Sequence, residues 1–408
     1  MEDCRVRLGE ADSFLCSEPE LPFPVSSLYE RRRWPKQDRT VKFLFWMCLA
    51  LTGYAYFGYA VLLWICVHLR KQSIQKADYT PDVSIIIAAR NEEANLPSKM
   101  ENLRMLDYPK EQLEIVVASD GSTDRTAEIL LEQPPPVVPV LLEESGGKAR
   151  ALNAAVDRAK GEILVFLDAR QFLEPNAVSE LASCFADPTV GAVSGELLLE
   201  DSGAHSHEGL GMYWKIEKMV RKLESASGSV VGVTGAIYAI RRELYIAIPP
   251  GTILDDVFVP MNVARQGKRV VFEPAAIARD RFFNEKGKEF SRKVRTLTGN
   301  YQLLQLAPWL LSPSNPLLFR FVSHKLLRLL IPVFLPLMLV AAGVLGGSFY
   351  GAIFWLQVLF YVAATCGSLI PSAKRFRPVD IACTFVMLNV AAALAFYNFA
   401  VGRKKVWL

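Results

Sequence analysis

The chain has 408 residues, 51% of them hydrophobic, a mean hydropathy of +0.21 and a formal net charge of +4. It is too apolar for an ordinary soluble protein, and its few surplus cations cluster beside apolar runs, which favours membrane-edge anchors over nucleic-acid contacts. Seven cysteines show no CxxC spacing, and Cys48, Cys66, Cys366 and Cys383 fall inside apolar runs, so neither a disulfide framework nor a zinc site is indicated.

Residues 1–40 form a polar and mixed tail that includes Arg31, Arg32, Arg33, Lys36 and Arg39, and the first long apolar run begins too late for a signal peptide. Residues 41–69 carry little charge apart from Lys42. At about 1.5 Å per residue they are long enough to cross roughly 30 Å of hydrocarbon. Residues 80–300 read as alternating strand and helix. Short apolar runs at 83–88 and 113–118 end in polar tips, and helical patterns follow at 92–106 and 122–131. GKARALNAAVDRAKG is an amphipathic helix, and 162–167 is the next strand. Strands separated by helices of this length predict an α/β fold with a parallel sheet covered by helices. Such sheets bind ligands at the carboxyl ends of their strands. Those ends carry Arg90-Asn91-Glu92, Asp120 and Asp168.

Residues 301–326 are expected to be interfacial. FRFVSHKLLRLL, 319–330, mixes basic and apolar residues at helical spacing and leads into the second span. Residues 327–401 divide at GGSFYG and PSAKRFRP into three spans near 327–347, 350–370 and 379–401, followed by a tail at 402–408. A cytosolic central region places Arg70, Lys71, Lys76, Lys325, Arg328, Lys374, Arg375 and Arg377 inside, as the positive-inside rule asks, although the arginine-rich N-terminal tail then lies outside against it. The spans show no internal charged pairs, which, with so large a polar region, argues against a transporter.

SIIIAARNEEANLPSKMENLRMLDYPKEQLEIVVASDGSTDRT resembles the opening of a family-2 glycosyltransferase. The family's P-x-Y-N-E tip is here Ala88-Ala89-Arg90-Asn91-Glu92, and its D-G-S-T-D loop is intact at Asp120-Gly121-Ser122-Thr123-Asp124. SGGKARALNAA is similar to the G-K-x-x-A-L-N segment, and GAVSGEL, VTGAIYAIRREL and TILDDVFVPMNVARQGKRVVFEP follow in the order found in membrane-bound polysaccharide synthases (hyaluronan, poly-N-acetylglucosamine, cellulose) and in glycolipid synthases such as ceramide glucosyltransferase. The resemblance covers roughly residues 81–300 and implies a GT-A-type domain, with one N-terminal and about three C-terminal transmembrane helices around it.

Sugar transfer requires a gripped nucleotide, a neutralised diphosphate and a base for the acceptor hydroxyl. Asp120, at a strand tip beside Gly121, suits a base or ribose, or else an Asx turn. Arg90 and Glu92 suit the nucleotide, or capping and surface pairing. Lys148 follows two glycines; a cation is unfavourable at a helix N-terminus, which an anionic ligand would explain. By resemblance, Asp168 is the first carboxylate of the family's D-x-D pair, and Arg170 stands in place of the second, usually a metal ligand. Either Arg170 itself charges the diphosphate, or a magnesium or manganese ion is held by Asp168, phosphates and waters, or Arg170 faces solvent or pairs with Glu174. In Leu254-Asp255-Asp256-Val257, Asp256 matches the family's base, with Asp255 its neighbour, although two acids also suit a helix start. Arg295 matches the arginine of Q-x-x-R-W, and Arg292 and Thr296 replace the glutamine and tryptophan, which puts chain extension in question. Arg292 and Arg295 clamp the diphosphate or lie on anionic lipid. Trp214 is a spare aromatic for an acceptor or an anchor at the bilayer edge; His205 and His207 read as surface residues.

The resemblance implies an inverting, multi-pass plasma-membrane (bacterial inner-membrane) enzyme. Its substrates are a nucleotide sugar, UDP-linked by expectation, and a carbohydrate or lipid-linked acceptor at the cytosolic face, for cell-surface polysaccharide or glycolipid synthesis. Nucleic acid is not an expected partner. Four spans make a thin pore, so a polymer product would need a second protomer or an export partner. The other reading is a degenerate nucleotide-sugar-binding homologue in which Arg170 has ended catalysis.

Overall fold

The computed structural model describes residues 35–200, 208–281 and 288–402. Eight strands, β1 (Val83–Ala89), β2 (Leu113–Asp120), β3 (Val137–Leu142), β4 (Ile163–Asp168), β5 (Phe172–Leu173), β6 (Val190–Glu200), β7 (Ile237–Arg241) and β8 (Arg269–Arg281), form one sheet. Their order is β3-β2-β1-β4-β7-β6-β8-β5. β1 pairs in parallel with β2 and β4, β2 with β3, and β6 with β8; β7 lies antiparallel between β4 and β6, and β5 is antiparallel to β8. The sheet is mostly parallel, as the sequence pattern predicts.

Successive side chains of a strand point to opposite faces, so a strand buried on both faces reads as an unbroken apolar run. In β1, Ile85 and Ile87 join one core with Leu96, Met100 and Leu103 of α3 (Leu96–Arg104). Ile86 joins the other core, with Leu152 and Ala155. The remaining helices of this part are α4 (Thr126–Leu131), α5 (Lys148–Arg158), α6 (Ala177–Ser183), α7 (Glu208–Ala226), α8 (Asp255–Arg265) and α9 (Lys288–Leu306).

Upstream, α1 (Pro35–Gly53) continues through a π turn at Tyr54–Gly58 into α2 (Tyr59–Leu69). Downstream lie α10 (Leu318–Phe321), α11 (Leu327–Leu345), α12 (Gly347–Leu369) and α13 (Arg377–Ala400). Four helical stretches, Asp38–Leu69, Leu318–Leu345, Gly347–Leu369 and Arg377–Ala400, are long and apolar enough to cross a membrane. α1 packs on α11, while α7 and α9 lie against α13, with α2 also on α7.

The interfacial helix expected at 319–330 is not a separate element. α10, a π turn at Val322–Leu326 and α11 run on as one helix from Leu318 to Leu345. Its basic residues turn inward instead of lying along a headgroup layer. Arg320 donates to the Glu224, Ser227 and Ser229 carbonyls, His324 sits between Glu217 and Glu224, and Arg328 pairs with Glu217. These charged pairs tie the foot of the second long apolar helix to α7, which is not one of the four. His205, His207 and Arg31 to Arg33 lie outside the described residues.

Candidate functional site

In the order β3-β2-β1-β4, the chain leaves β1 toward one side of the sheet and returns at β4 on the other. The crevice outside such a reversal is where open α/β sheets take ligands. Asp168, the last residue of β4, is paired with Ala88, next to the β1 tip.

Two loops cross this edge and are clasped to each other. Asp120 ends β2 fully buried: its Oδ1 accepts from Gly146 N at 2.8 Å, and its Oδ2 accepts from Gly147 N at 2.8 Å and Ser145 Oγ at 2.9 Å. Gly121 has φ +58°, and a Cβ there would collide with the Ser145 backbone nitrogen, so only glycine lets the loops approach this closely. In this arrangement Asp120 is spent on the loop that opens α5. Asn91, itself in the left-handed region, stitches the first tip to the D-G-S-T-D loop: Thr123 N donates to its Oδ1 at 2.9 Å, and its own N donates to Ser122 Oγ at 3.2 Å. Glu92 accepts from Asn95 Nδ2 at 2.6 Å, and Arg90 stands half-buried beside it.

The clasped loop delivers Lys148, the first residue of α5, to the carboxylates. Its Nζ donates to Asp168 Oδ1 at 3.0 Å and lies 3.3 Å from Asp255 Oδ2. Burial opposes its charge, but Asp168, Asp255 and Asp256 together outweigh burial and hold its proton more firmly than usual. Asp255 and Asp256 open α8, where the helix dipole favours negative charge. Burial, then the adjacent Asp255, push the Asp256 carboxyl up to about 6, against the opposing charges of Lys148 and Lys325. Asp256 Oδ1 and Asp255 Oδ2 are buried without a hydrogen-bond partner, and so is the Tyr238 hydroxyl from β7. Burial and the charges of Asp255, Asp256 and Asp168 keep Tyr238 protonated far above its usual range. Its ring stacks on Phe166 of β4 at 4.7 Å between centroids. Asp255 Oδ2 is met by the Lys148 ammonium, whereas Asp256 Oδ1 and the Tyr238 hydroxyl are not; buried polar atoms are nearly always bonded, so these two mark a site that an incoming group completes.

Arg170 is engaged elsewhere. Its guanidinium forks onto the buried Asp280 of β8, with Nε donating to Oδ1 at 3.1 Å and the second nitrogen donating to Oδ2. The expected solvent-facing or Glu174-paired arrangement gives way to this one, because Glu174 is taken by Arg279. Lys99 of α3, which sequence reasoning missed, is 1% exposed and donates to the Gln171 carbonyl at 2.6 Å. Burial lowers its affinity for a proton to about 7, against the attraction of Asp168. Arg292 and Arg295 lie exposed on α9, Arg292 beside Glu289; neither is brought to the Lys148 cluster. Trp214 is paired with Lys293, whose Nζ lies 4.4 Å from the ring centroid.

The divalent cation implied by resemblance fits this donor set poorly. Asp168 gives one oxygen to Lys148, Arg170 is a cation, and no group of three His, Cys, Asp or Glu among the described residues is arranged to hold a metal ion.

A parallel half-sheet with Asp168 at a strand tip and Lys148 at the next helix start, beside a mixed half with an acidic helix start, is a GT-A-like arrangement. The profile of glycosyl transferase family 2 matches residues 84–248, and the chain carries a domain of that family. A poly-beta-1,6-N-acetyl-D-glucosamine synthase from Staphylococcus aureus (strain COL) is 24% identical over 247 residues, 58% of this chain and 58% of that protein. This chain thus spans little more than half the length of that relative. A beta-monoglucosyldiacylglycerol synthase from Synechocystis sp. (strain ATCC 27184 / PCC 6803 / Kazusa) is 36% identical over 118 residues, 28% of this chain and 25% of the relative. Among solved structures, a mannosyltransferase from Pyrobaculum calidifontis in complex with GDP-Man and Mn2+ superposes with a TM-score of 0.66 at 25% identity, covering 88% of this chain and 99% of that one.

Proposed function

We propose that the chain is an inverting glycosyltransferase that moves a hexosyl or N-acetylhexosaminyl group from a nucleotide sugar to a carbohydrate or lipid-linked acceptor. The observation that carries this reading is Asp256: a half-buried carboxylate with one buried, unsatisfied oxygen and raised proton affinity, on the same site as Lys148. Asp256 takes the proton of the acceptor hydroxyl. That oxygen attacks the anomeric carbon, the bond from this carbon to the diphosphate breaks, and the diphosphate leaves with the electron pair. Attack opposite the leaving group inverts the anomeric centre. Lys148, released from part of its hold on Asp168, supplies charge to the diphosphate; Asp255 stays beside Lys148 and fixes its place. Arg90, Glu92, Asp120 and Asp168 frame the nucleotide side, with Arg292 and Arg295 approaching only if α9 shifts when donor binds. The Mn2+ of the mannosyltransferase complex belongs to that protein. Here the positive charge rests on Lys148.

The four long apolar helices support a multi-pass membrane protein with its catalytic region in the cytosol, where nucleotide sugars are made, and its product a cell-surface polysaccharide or a glycolipid. The test is to incubate the purified protein with UDP-GlcNAc, UDP-glucose and GDP-mannose and extracted membrane lipids, and to analyse products by mass spectrometry. Asp256→Asn should lower transfer about a hundredfold or more while leaving donor binding intact. Wild-type transfer should fall as pH drops through about 6, because the base is then protonated. Donor binding without transfer in the wild type would favour the degenerate homologue, and near-normal turnover in Asp256→Asn would remove Asp256 as the base.

A further inference from the structure

Lys325 stands in the π turn Val322–Leu326, and that turn is held on both sides. Ser323 Oγ lies 2.9 Å from Tyr54 Oη, and His324 lies 2.9 Å from Glu224 and 3.2 Å from Glu217. Arg320 donates to the Glu224 and Ser229 carbonyls at 2.7 Å each and to that of Ser227 at 2.8 Å, and Arg328 pairs with Glu217 beyond the turn. Lys325 extends from this fixed turn to the acidic end of α8. The space over Gly232 brings the two together: a Cβ built there would stand 3.9 Å from Lys325 Cε and 3.5 Å from the Asp256 carbonyl oxygen, which places the lysine stem beside the start of α8. Lys325 is half-buried and, among the described residues, forms no ion pair.

The charged and titratable groups facing Asp256 are Asp255 on α8, Lys148 from α5, Asp168 from β4, Tyr238 from β7 and Lys325 from the π turn. Of the two cations, Lys148 is shared with Asp168 and Asp255, and a bound diphosphate would draw on it further. Lys325 is the cation left over. We infer that Lys325 is a positioning residue for Asp256: the second long apolar helix carries the ammonium that keeps this carboxylate charged and able to accept the acceptor's proton. The inference rests on the reading of Asp256 as base and adds that the membrane-side helix tunes it. The His324–Glu217–Glu224 anchor gives that tuning a fixed geometry, since it pins the neighbouring residue of the same turn to α7.

The test uses the full chain in lipid nanodiscs and needs no substrate. Protonation of Asp256 is followed by infrared difference spectroscopy, taking wild type minus Asp256→Asn across a pH titration. Lys325→Met should raise the midpoint by about one pH unit, a tenfold change in proton affinity of the size expected for loss of a nearby opposite charge. Lys325→Arg, which keeps the charge, should restore the wild-type midpoint. Lys293→Met, which removes a cation on α9 that does not face Asp256, should leave it unmoved. An unchanged midpoint in Lys325→Met, or an equal shift in Lys293→Met, would overturn the inference. The base reading fails separately, through full transfer activity in Asp256→Asn; a dead Asp256→Asn with an unmoved Lys325→Met midpoint removes Lys325 alone.

Discussion

Two groups of acids and cations in this molecule use the same residue types to opposite ends. At the foot of the second long apolar helix, Glu217 and Glu224 are matched by Arg328, His324 and the Tyr59 hydroxyl, which donates to Glu224 at 2.6 Å. Within that group only Arg328 Nε is buried without a partner. Burial alone would raise both glutamates, but the cations outweigh it, and both are held below the usual carboxylate range. At the candidate site, Lys148 faces Asp168, Asp255 and Asp256, and Asp256 Oδ1 and the Tyr238 hydroxyl are left without a partner. In one group every carboxylate is matched, and that group fastens the sheet domain to the apolar helices. The other is short of positive charge and of hydrogen-bond donors. Unmet demand of this kind lowers stability unless a ligand meets it, which is why it marks the site and the satisfied group does not.

The largest expected effect comes from breaking the complete group. Arg328→Met removes the cation from Glu217 and leaves a buried carboxylate sharing only His324. Losing one partner of a buried pair costs about 3–5 kcal/mol. Thermal unfolding of the purified protein should therefore shift down by several degrees, with donor affinity of the remaining folded protein unchanged. An unaltered unfolding temperature would show that water already compensates Glu217, and the contrast between the two groups would dissolve.

The incomplete group should respond in the reverse way. On the proposed reading, Lys148→Met would remove a charge-assisted contact to the diphosphate, worth about 1.5–3 kcal/mol, or roughly ten- to a hundredfold in donor affinity. Three acids then face one another without this cation, so the affinity loss should shrink at lower pH as they protonate. Isothermal titration with UDP and GDP at two pH values would measure both. Equal affinity in variant and wild type would take Lys148 out of the diphosphate site.

Much of the incomplete group was legible from sequence because its parts are local. Each strand of the parallel half is a short apolar run with a polar tip, Asp168 among them, while Lys148 and the Asp255–Asp256 pair open the helices α5 and α8. Tyr238 was not legible: an aromatic inside IYAIR looks like ordinary strand packing, and only the fold shows its hydroxyl among the acids. Lys99 in LPSKMENLR reads as the polar face of a surface helix, yet it is buried under the Asp168–Gln171 turn. The complete group was invisible for a different reason. His324 and Glu224 are 100 positions apart, and a basic-apolar stretch looks the same whether its cations meet headgroups or buried glutamates. The pairing depends on how α7 packs against the helix, which no local pattern encodes.

The same distance effect governs Arg170, where the smallest change is expected. Sequence offers its charge to a diphosphate, but its partner is Asp280, 110 positions on, and Gln171 Nε2 donates to the same carboxylate at 3.0 Å. A guanidinium already forked onto a buried acid has little net charge to lend. Arg170→Ala should therefore lower donor affinity by only about threefold, well under the effect of removing Lys148, since an unneutralised contact would be worth roughly tenfold or more. Its cost should appear in stability, because Asp280 is left buried with Gln171 as its remaining side-chain donor among the described contacts, and a buried charge that loses its partner is expensive. Arg170→Ala combined with Asp280→Asn should recover much of that stability, as the pair is then removed together. Titrating nucleotide and unfolding the single and double variants side by side separates the two roles. A hundredfold loss of affinity in Arg170→Ala, with its unfolding temperature unmoved, would place the arginine on the diphosphate and make the Asp280 fork incidental.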